Sequence, residues 1–163
     1  MSPALSGSAA TLCQLVSGQP HSLDHRLSHI GVRDDGILEF RYRDGIYLQL
    51  EDAEDLIRAA LDLTGDDVPL PTIVHLNNVR GSTREAREYM AYSDENQRLS
   101  SRVALVVTSR IGRMLVNLLF GLSPPRIPTR AFTDEAAALA WLENPHDGPC
   151  RRVIQEPEPE LEP

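Results

Sequence analysis

The folded part of the chain opens with segments in which apolar and polar residues alternate, the pattern of half-buried β-strands. Alternation covers residues 28–33 and 37–43, which an Asp-Asp-Gly turn separates, and a further strand-like run covers residues 46–50 after a second Asp-Gly turn. Asp-Gly pairs between such runs favour tight hairpin turns. The pattern therefore predicts three strands in a meander.

Beyond residue 50, the spacing of the apolar residues predicts helices that alternate with strands. The first helix is expected to be capped by Asp52 and to end at Gly65, with one apolar stripe between them. The remaining elements are strands over residues 73–76, 102–108 and 127–132, and helices that open at Ser82, Ser109 and Thr133. This order predicts the α/β fold class: a mixed β-sheet of about five or six strands, an N-terminal meander followed by alternating β and α, covered by about four helices.

Composition divides the chain into three parts. Residues 1–25 are rich in Ser, Ala and Gly without a sustained apolar period, which predicts a flexible arm. Residues 144–163 end in alternating Glu and Pro, and this predicts a disordered acidic tail, because proline removes donors and the carboxylates repel one another. The α/β domain is expected over residues 26–143.

Charge and residue usage exclude several classes of protein. The chain has no lysine and a net charge of −8, so a phosphate-loop lysine and a Schiff-base lysine are excluded, and nucleic acid is not an expected partner. No two glycines lie close enough for a G-x-G dinucleotide turn. The longest apolar run, residues 114–122, is too short for a transmembrane segment. Cys13 and Cys150 have no metal-binding spacing, and we expect a cytoplasmic protein.

Two segments, together with the order of elements, resemble the SpoIIAA-like, or STAS-like, domains. The segments are TIVHLNNV, which a capped helix follows at once, and the closing IPTRAFTDEAAALAWL. The likeness spans roughly residues 30–142 and points to the small single-domain bacterial proteins of that group whose role is uncharacterised. It implies a small α/β domain, often a homodimer, that works by binding rather than by catalysis.

One property of the wider group does not transfer directly. In its anti-sigma-factor antagonists, a serine that follows an Asp at the start of the helix after this strand is phosphorylated and switches partner binding. Here Arg84 stands at the position that aligns with that serine, and no Asp precedes it. A phospho-switch would need a slip in register to Ser82 or Thr83.

Polar and basic residues crowd the predicted starts of the two helices that follow the central strands. Parallel sheets bind ligands beyond the carboxyl ends of their strands, where helix amides point outward. The candidates for binding an anion are Asn78, Arg80, Ser82, Thr83, Arg84, Ser109, Arg110 and Arg113. The alternative interpretation is that the serines are simple N-caps and the arginines are solvated.

The predicted helix over residues 109–121 is apolar on more than one side. One stripe suits the sheet, whereas Val116, Leu119 and Phe120 project elsewhere. This surplus apolar surface predicts a homodimer interface. A pocket for an apolar ligand, a membrane contact, or cover by neighbouring segments are the alternatives.

Motifs for catalysis and for cofactors are lacking. The sequence has no G-x-S-x-G elbow, and His75 is interpreted as a hydrogen-bonded core histidine. The spacing of His21, His25 and His29 is interpreted as a polar arm rather than a metal site. We therefore expect no metal and no cofactor. The predicted function is a non-catalytic binding or regulatory module, a homodimer that acts through protein–protein contact. The alternative is a carrier or sensor of a small amphipathic anion, a lipid or nucleotide, bound at the helix starts.

Overall fold

The computed structural model describes residues 22–65, 68–77, 79–109, 116 and 124–144. Its strands are β1 (Ser22–Asp24), β2 (Ser28–Val32), β3 (Leu38–Tyr42), β4 (Ile46–Leu48), β5 (Leu70–His75), β6 (Val79–Ser82), β7 (Ser100–Val106) and β8 (Thr129–Phe132). Six of them form the central sheet in the order β1-β2-β3-β5-β7-β8. The first three strands are antiparallel, and β3, β5, β7 and β8 are parallel, so the predicted mixed α/β sheet is confirmed.

The meander is built from different strands than predicted. Residues 22–24, inside the predicted arm, form β1 and pair with β2. The run after Gly45, predicted as the third strand of the meander, instead pairs with β6 in a separate two-stranded parallel sheet. The chain turns at Gly45, whose φ is 73°. The strand that pairs with β3 in the central sheet is β5 rather than β4. The physical reason is burial, because β5 contributes apolar residues to both faces of the sheet.

The helices in the described part of the chain are α1 (Leu50–Thr64), α2 (Arg84–Tyr92), α3 (Asp94–Leu99) and α4 (Glu135–Glu143). The N-cap of α1 is Gln49 rather than the predicted Asp52, which lies one turn into the helix and accepts the Gln49 N–H at 2.9 Å. The predicted end at Gly65 is confirmed, since its N–H donates to the carbonyl of Leu61 at 2.8 Å.

The predicted caps of the later helices are also displaced. Ser82, predicted as an N-cap, lies in β6, and the neighbouring Thr83 caps α2 by accepting the N–H of Ala86 at 3.2 Å. Asp134 replaces Thr133 as the cap of α4. The short helix α3 was not predicted. The helix predicted over residues 109–121 lies outside the described residues, except for Ser109 and the helical residue Val116.

Side chains alternate between the two faces of the central sheet, and each face has its own apolar cluster. Helices α1 and α3 lie on the first face, where the cluster includes Ile30, Leu38, Phe40, Leu56, Ile57 and Leu99. Helix α4 covers the second face, where the cluster includes Ile73, Ala104, Val106, Phe132, Trp141 and Leu142. The two faces differ in their polar features: the first borders a cavity, and the second carries a charged cluster.

Candidate functional site

A cavity of about 450 Å³ lies between the first face of the sheet and the helices that cover it. Its lining is mostly apolar and includes Phe40, Tyr42, Val74, Val103 and Leu105 from the sheet, and Ala53, Leu56, Ile57 and Met90 from α1 and α2. Ligand pockets of soluble proteins have volumes of roughly 300–1,000 Å³ and mainly apolar walls. The cavity therefore has the size and lining of a small-molecule site.

Three polar side chains in the wall of this cavity satisfy one another. The hydroxyls of Thr72 and Ser100 lie 2.8 Å apart on adjacent strands, and Asn96 accepts the Ser100 hydroxyl at 3.5 Å. The amide of Asn96 also donates to the carbonyl of Met90. These groups hold α3 against the sheet, and their hydrogen bonds are directed to the protein.

Tyr42 is different, because its hydroxyl has no hydrogen-bond partner among the described residues. The ring lies at the end of β3 and lines the cavity. Burial raises the pKa of Tyr42 far above its usual value, so the phenol stays protonated and can donate. Buried tyrosine hydroxyls are normally paired. The cavity wall thus holds a donor without a protein acceptor in the described structure.

Arg87 is the one charged side chain among the described residues that line the cavity. It belongs to α2 and is exposed, which places it at the mouth. One of its nitrogens, Nη1, donates to the Ser82 carbonyl at 2.6 Å and lies 3.4 Å from the Ser82 hydroxyl. Within the described ranges, no carboxylate lies within ion-pair distance of it. A guanidinium has five N–H donors, so most of them are left for solvent or a ligand.

The described candidates for binding an anion have different surroundings. Ser82 lines the cavity, Thr83 acts as a cap, and Arg80 is exposed on β6. Arg84 pairs with Glu88 at 2.7 Å on the outer side of α2. Ser109 is exposed just after β7, and Asn78, Arg110 and Arg113 lie outside the described residues.

The two strands that these residues follow are neighbours in the central sheet. Strands β5 and β7 pair along their length. Just beyond them, Asn77 Oδ1 accepts the backbone N–H of Thr108 at 2.7 Å. Arg87 was missed by sequence analysis, because nothing in its spacing distinguishes it from Arg84 one turn earlier.

Of the apolar interface candidates, Val116 is half-buried and lines the cavity. Leu119 and Phe120 lie outside the described residues. The large exposed apolar side chains in the described part of the chain, Leu23, Tyr47 and Val68, belong to separate segments. The homodimer remains a prediction.

The second face of the sheet carries a charged cluster formed by Glu39, His75, Glu135, Arg33 and Arg41. Glu39 Oε1 lies 3.1 Å from Nε2 of His75 and 2.8 Å from Nη2 of Arg41. Glu135, in the first turn of α4, lies 3.5 Å from Arg33 and 3.6 Å from Arg41. The hydrogen bond from His75, with Arg41, lowers the pKa of Glu39 to about 2 against the effect of burial.

Glu39, His75 and Glu135 also have the residue types and proximity of metal ligands. The chemistry of the cluster does not fit a cation, because Arg33 and Arg41 already place two positive charges beside the same carboxylates. We interpret the cluster as an ion-pair network that fixes α4. His75 is buried and hydrogen-bonded, as predicted.

The histidines near the start of the described structure serve local contacts. The Nδ1 of His29 lies 3.1 Å from Asp24, and the Nδ1 of His25 accepts the N–H of Leu27.

A mixed six-stranded sheet with helices on both faces defines an α/β domain of the SpoIIAA-like class. A protein of the DUF3478 family with a SpoIIAA-like fold, from Shewanella loihica PV-4, is similar in structure: the TM-score is 0.50, the identity is 20%, and the match covers 74% of this chain and 98% of that chain. The chain belongs to the family of domains of unknown function DUF7793, which matches residues 31–145.

A second solved structure, a protein of unknown function from Arthrobacter sp. FB24, is 30% identical over 69% of this chain and 90% of that chain, with a TM-score of 0.27. No curated protein matches the chain. In the described part of the chain, the helices are all too short or too polar to cross a membrane.

Proposed function

We propose that this domain is a non-catalytic binding module that holds a small, largely apolar ligand in the cavity between the central sheet and helices α1–α3. The observation that carries the proposal is the cavity itself, about 450 Å³ of mainly apolar space beside a fully formed core. The cavity involves Val116 from the segment in which sequence analysis found surplus apolar surface.

The volume is too large for a packing defect. Protein interiors are close-packed, and their voids are rarely larger than a water molecule. A space of about 450 Å³ that opens to the surface beside Arg87 has the size of a ligand pocket rather than of a gap between core side chains. A ligand that fills this space supplies the missing contacts and stabilises the folded state by mass action.

The lining supports binding rather than catalysis. Tyr42 and Arg87 are the titratable side chains among the described lining residues, which include no Asp, Glu, His or Cys. Burial holds Tyr42 in its protonated form, and the guanidinium of Arg87 offers N–H donors and no acceptor. Neither is suited to transfer a proton near neutral pH.

The alternative is a regulatory module that acts through protein–protein contact at the helix predicted over residues 109–121. That function needs no ligand in the cavity, and it predicts a partner or a second copy on the outer side of the helix. Both functions are compatible with a SpoIIAA-like domain. Substitutions that fill the cavity distinguish the two functions, because only the ligand-binding function needs that space.

The test is a titration with N-phenyl-1-naphthylamine, a neutral fluorophore that brightens in apolar surroundings. We expect saturable binding to the full chain. Val74→Phe and Leu105→Phe place extra side-chain volume into the cavity from two adjacent strands, and each is expected to weaken binding at least tenfold. Val68→Phe is the matched control, because Val68 is 57% exposed and does not line the cavity.

Urea unfolding of each variant shows whether the fold is retained. A folded Val74→Phe or Leu105→Phe protein that binds the fluorophore as well as the Val68→Phe control would contradict the proposal. Absence of saturable binding to the unaltered chain, with native mass spectrometry finding no retained small molecule, would also contradict it.

A further inference from the structure

We infer that the ligand of this cavity is a medium-chain aliphatic carboxylate whose hydrocarbon chain fills the apolar space and whose carboxylate pairs with Arg87 at the mouth, within reach of the Tyr42 hydroxyl. This inference rests on the proposed function and names the chemical class of its ligand. It is carried by two groups on an otherwise apolar wall: Arg87, which keeps N–H donors beyond the one bonded to Ser82, and Tyr42.

The first donor is the guanidinium of Arg87. It is anchored by its 2.6 Å bond to the Ser82 carbonyl, which fixes the position of the charge at the rim of the cavity. The neighbouring arginine on the same helix, Arg84, is neutralised by Glu88. Arg87 has no carboxylate within 4 Å among the described residues. A fixed, unpaired cation at the mouth of an apolar cavity favours a ligand with one anionic end.

The second donor is the phenol of Tyr42, which also lines the cavity. Other polar side chains of the lining are already bonded to the protein: Thr72 to Ser100, and Thr129 to the carbonyl of Ile127 at 2.9 Å. Two available donors select a head group rich in acceptors, and a carboxylate has two oxygens that accept. An alkylammonium head would lie beside the like charge of Arg87, and a simple alcohol would leave that charge unpaired.

The size of the cavity sets the length of the chain. The volume of about 450 Å³ lies at the lower end of the range for pockets that hold one small ligand, and it suits a single chain of medium length such as decanoate. A nucleotide would place several charges and polar edges against an apolar wall without partners, at a high cost of desolvation.

The experiment is displacement of N-phenyl-1-naphthylamine by decanoate, decanol and decylamine, each below its aggregation concentration. We expect decanoate to displace the fluorophore at a concentration at least tenfold lower than decanol, and decylamine to be the weakest. Arg87→Gln should weaken decanoate about tenfold and leave decanol unchanged. Tyr42→Phe should weaken decanoate severalfold. Raising the salt concentration should weaken decanoate in the unaltered chain and not in the Arg87→Gln variant.

Arg84→Gln is the matched control, since it removes an arginine from the same helix without touching the cavity. Equal displacement by decanoate and decanol, or equal effects of Arg87→Gln and Arg84→Gln, would overturn the inference and leave the proposed function standing. If the fluorophore binds but none of the three decyl compounds displaces it, the inference is likewise overturned and the proposed function stands. Absence of fluorophore binding to the unaltered chain, with no small molecule retained in native mass spectrometry, is the result that removes both the inference and the proposed function. Retained binding of decanol by Arg87→Gln reports that the variant is folded.

Discussion

Arg102 fastens the C-terminal end of α4 to the second face of the sheet, and replacing it should weaken the whole domain. Its side chain leaves β7, and Nη1 donates to the carbonyls of Trp141 at 2.8 Å and Asn144 at 2.7 Å. The guanidinium also lies 4.9 Å from the centre of the Trp141 ring. One cation thus satisfies two carbonyls at a helix end, where the helix dipole is negative and free carbonyls lack partners.

The magnitude of this contribution follows from those contacts. A charged hydrogen bond contributes about 1.5–3 kcal/mol when it is buried, but Arg102 is only half-buried, so about 1 kcal/mol for each is a fair value. Stacking on the tryptophan adds about 0.5–1 kcal/mol. We expect Arg102→Gln to lower the free energy of unfolding by about 2–3 kcal/mol. Arg102→Lys should recover less than half of the loss, because an ammonium cannot reproduce the planar fork.

The assay is urea unfolding followed by the fluorescence of Trp141, the single tryptophan of the chain, with circular dichroism as a second probe. Arg130→Gln is the matched control. Arg130 is exposed on the adjacent strand, stacks over Phe132 at 5.3 Å, and has no carbonyl partner among the described residues. Its loss should cost no more than about 0.5 kcal/mol. If Arg102→Gln and Arg130→Gln cost the same, the carbonyl bonds of Arg102 contribute nothing and the reasoning fails.

Two further predictions concern the charged cluster and the cap of α2. The pKa of Glu39 is lowered to about 2 in the folded state, so its stabilising effect is present above its usual value near 4.5 and is lost as the pH falls from there towards 2. Glu39→Gln should therefore cost about 1–2 kcal/mol at neutral pH, after allowance for solvent screening, and should flatten the acid limb of stability measured by urea unfolding across this range. Parallel acid limbs would contradict this. Thr83→Ala should cost about 1 kcal/mol in the same assay, and Ser82→Ala less than half of that, since only Thr83 caps the helix. An equal loss for Ser82→Ala would show that the cap is not the cause.

The elements predicted correctly are those whose signal is local. Alternation identified β2 and β3, and a glycine at the right spacing identified the end of α1. The pairing of β4 with β6 joins segments about thirty residues apart, and such a contact leaves no periodic trace in either segment. Caps were displaced where adjacent residues offer equivalent oxygens, as at Ser82 and Thr83, because the backbone decides between them.

The cavity could not be predicted from the sequence either, because no local pattern marks its lining residues. Val74 and Leu105 have the pattern of ordinary core residues, and a strand that borders empty space shows the same alternation as one that borders a helix. The surplus apolar surface of the helix predicted over residues 109–121 was the one signal available, and Val116 does line the cavity. That surface is equally compatible with an external partner, because no sequence pattern shows that the wall opposite the helix is incomplete.

The contrast between the two faces of the sheet explains how the domain tolerates the cavity. On the second face, Trp141 and Leu142 pack closely on the sheet, Arg102 holds the end of α4, and Glu39 with its arginines holds the beginning. That face supplies a rigid platform that does not depend on a ligand. The first face can then leave space between the same strands and α1–α3. Because β3, β5 and β7 are shared by both faces, substitutions that loosen α4 should weaken ligand binding only as far as they disturb those strands, whereas Val74→Phe should weaken binding at least tenfold in a domain that remains folded.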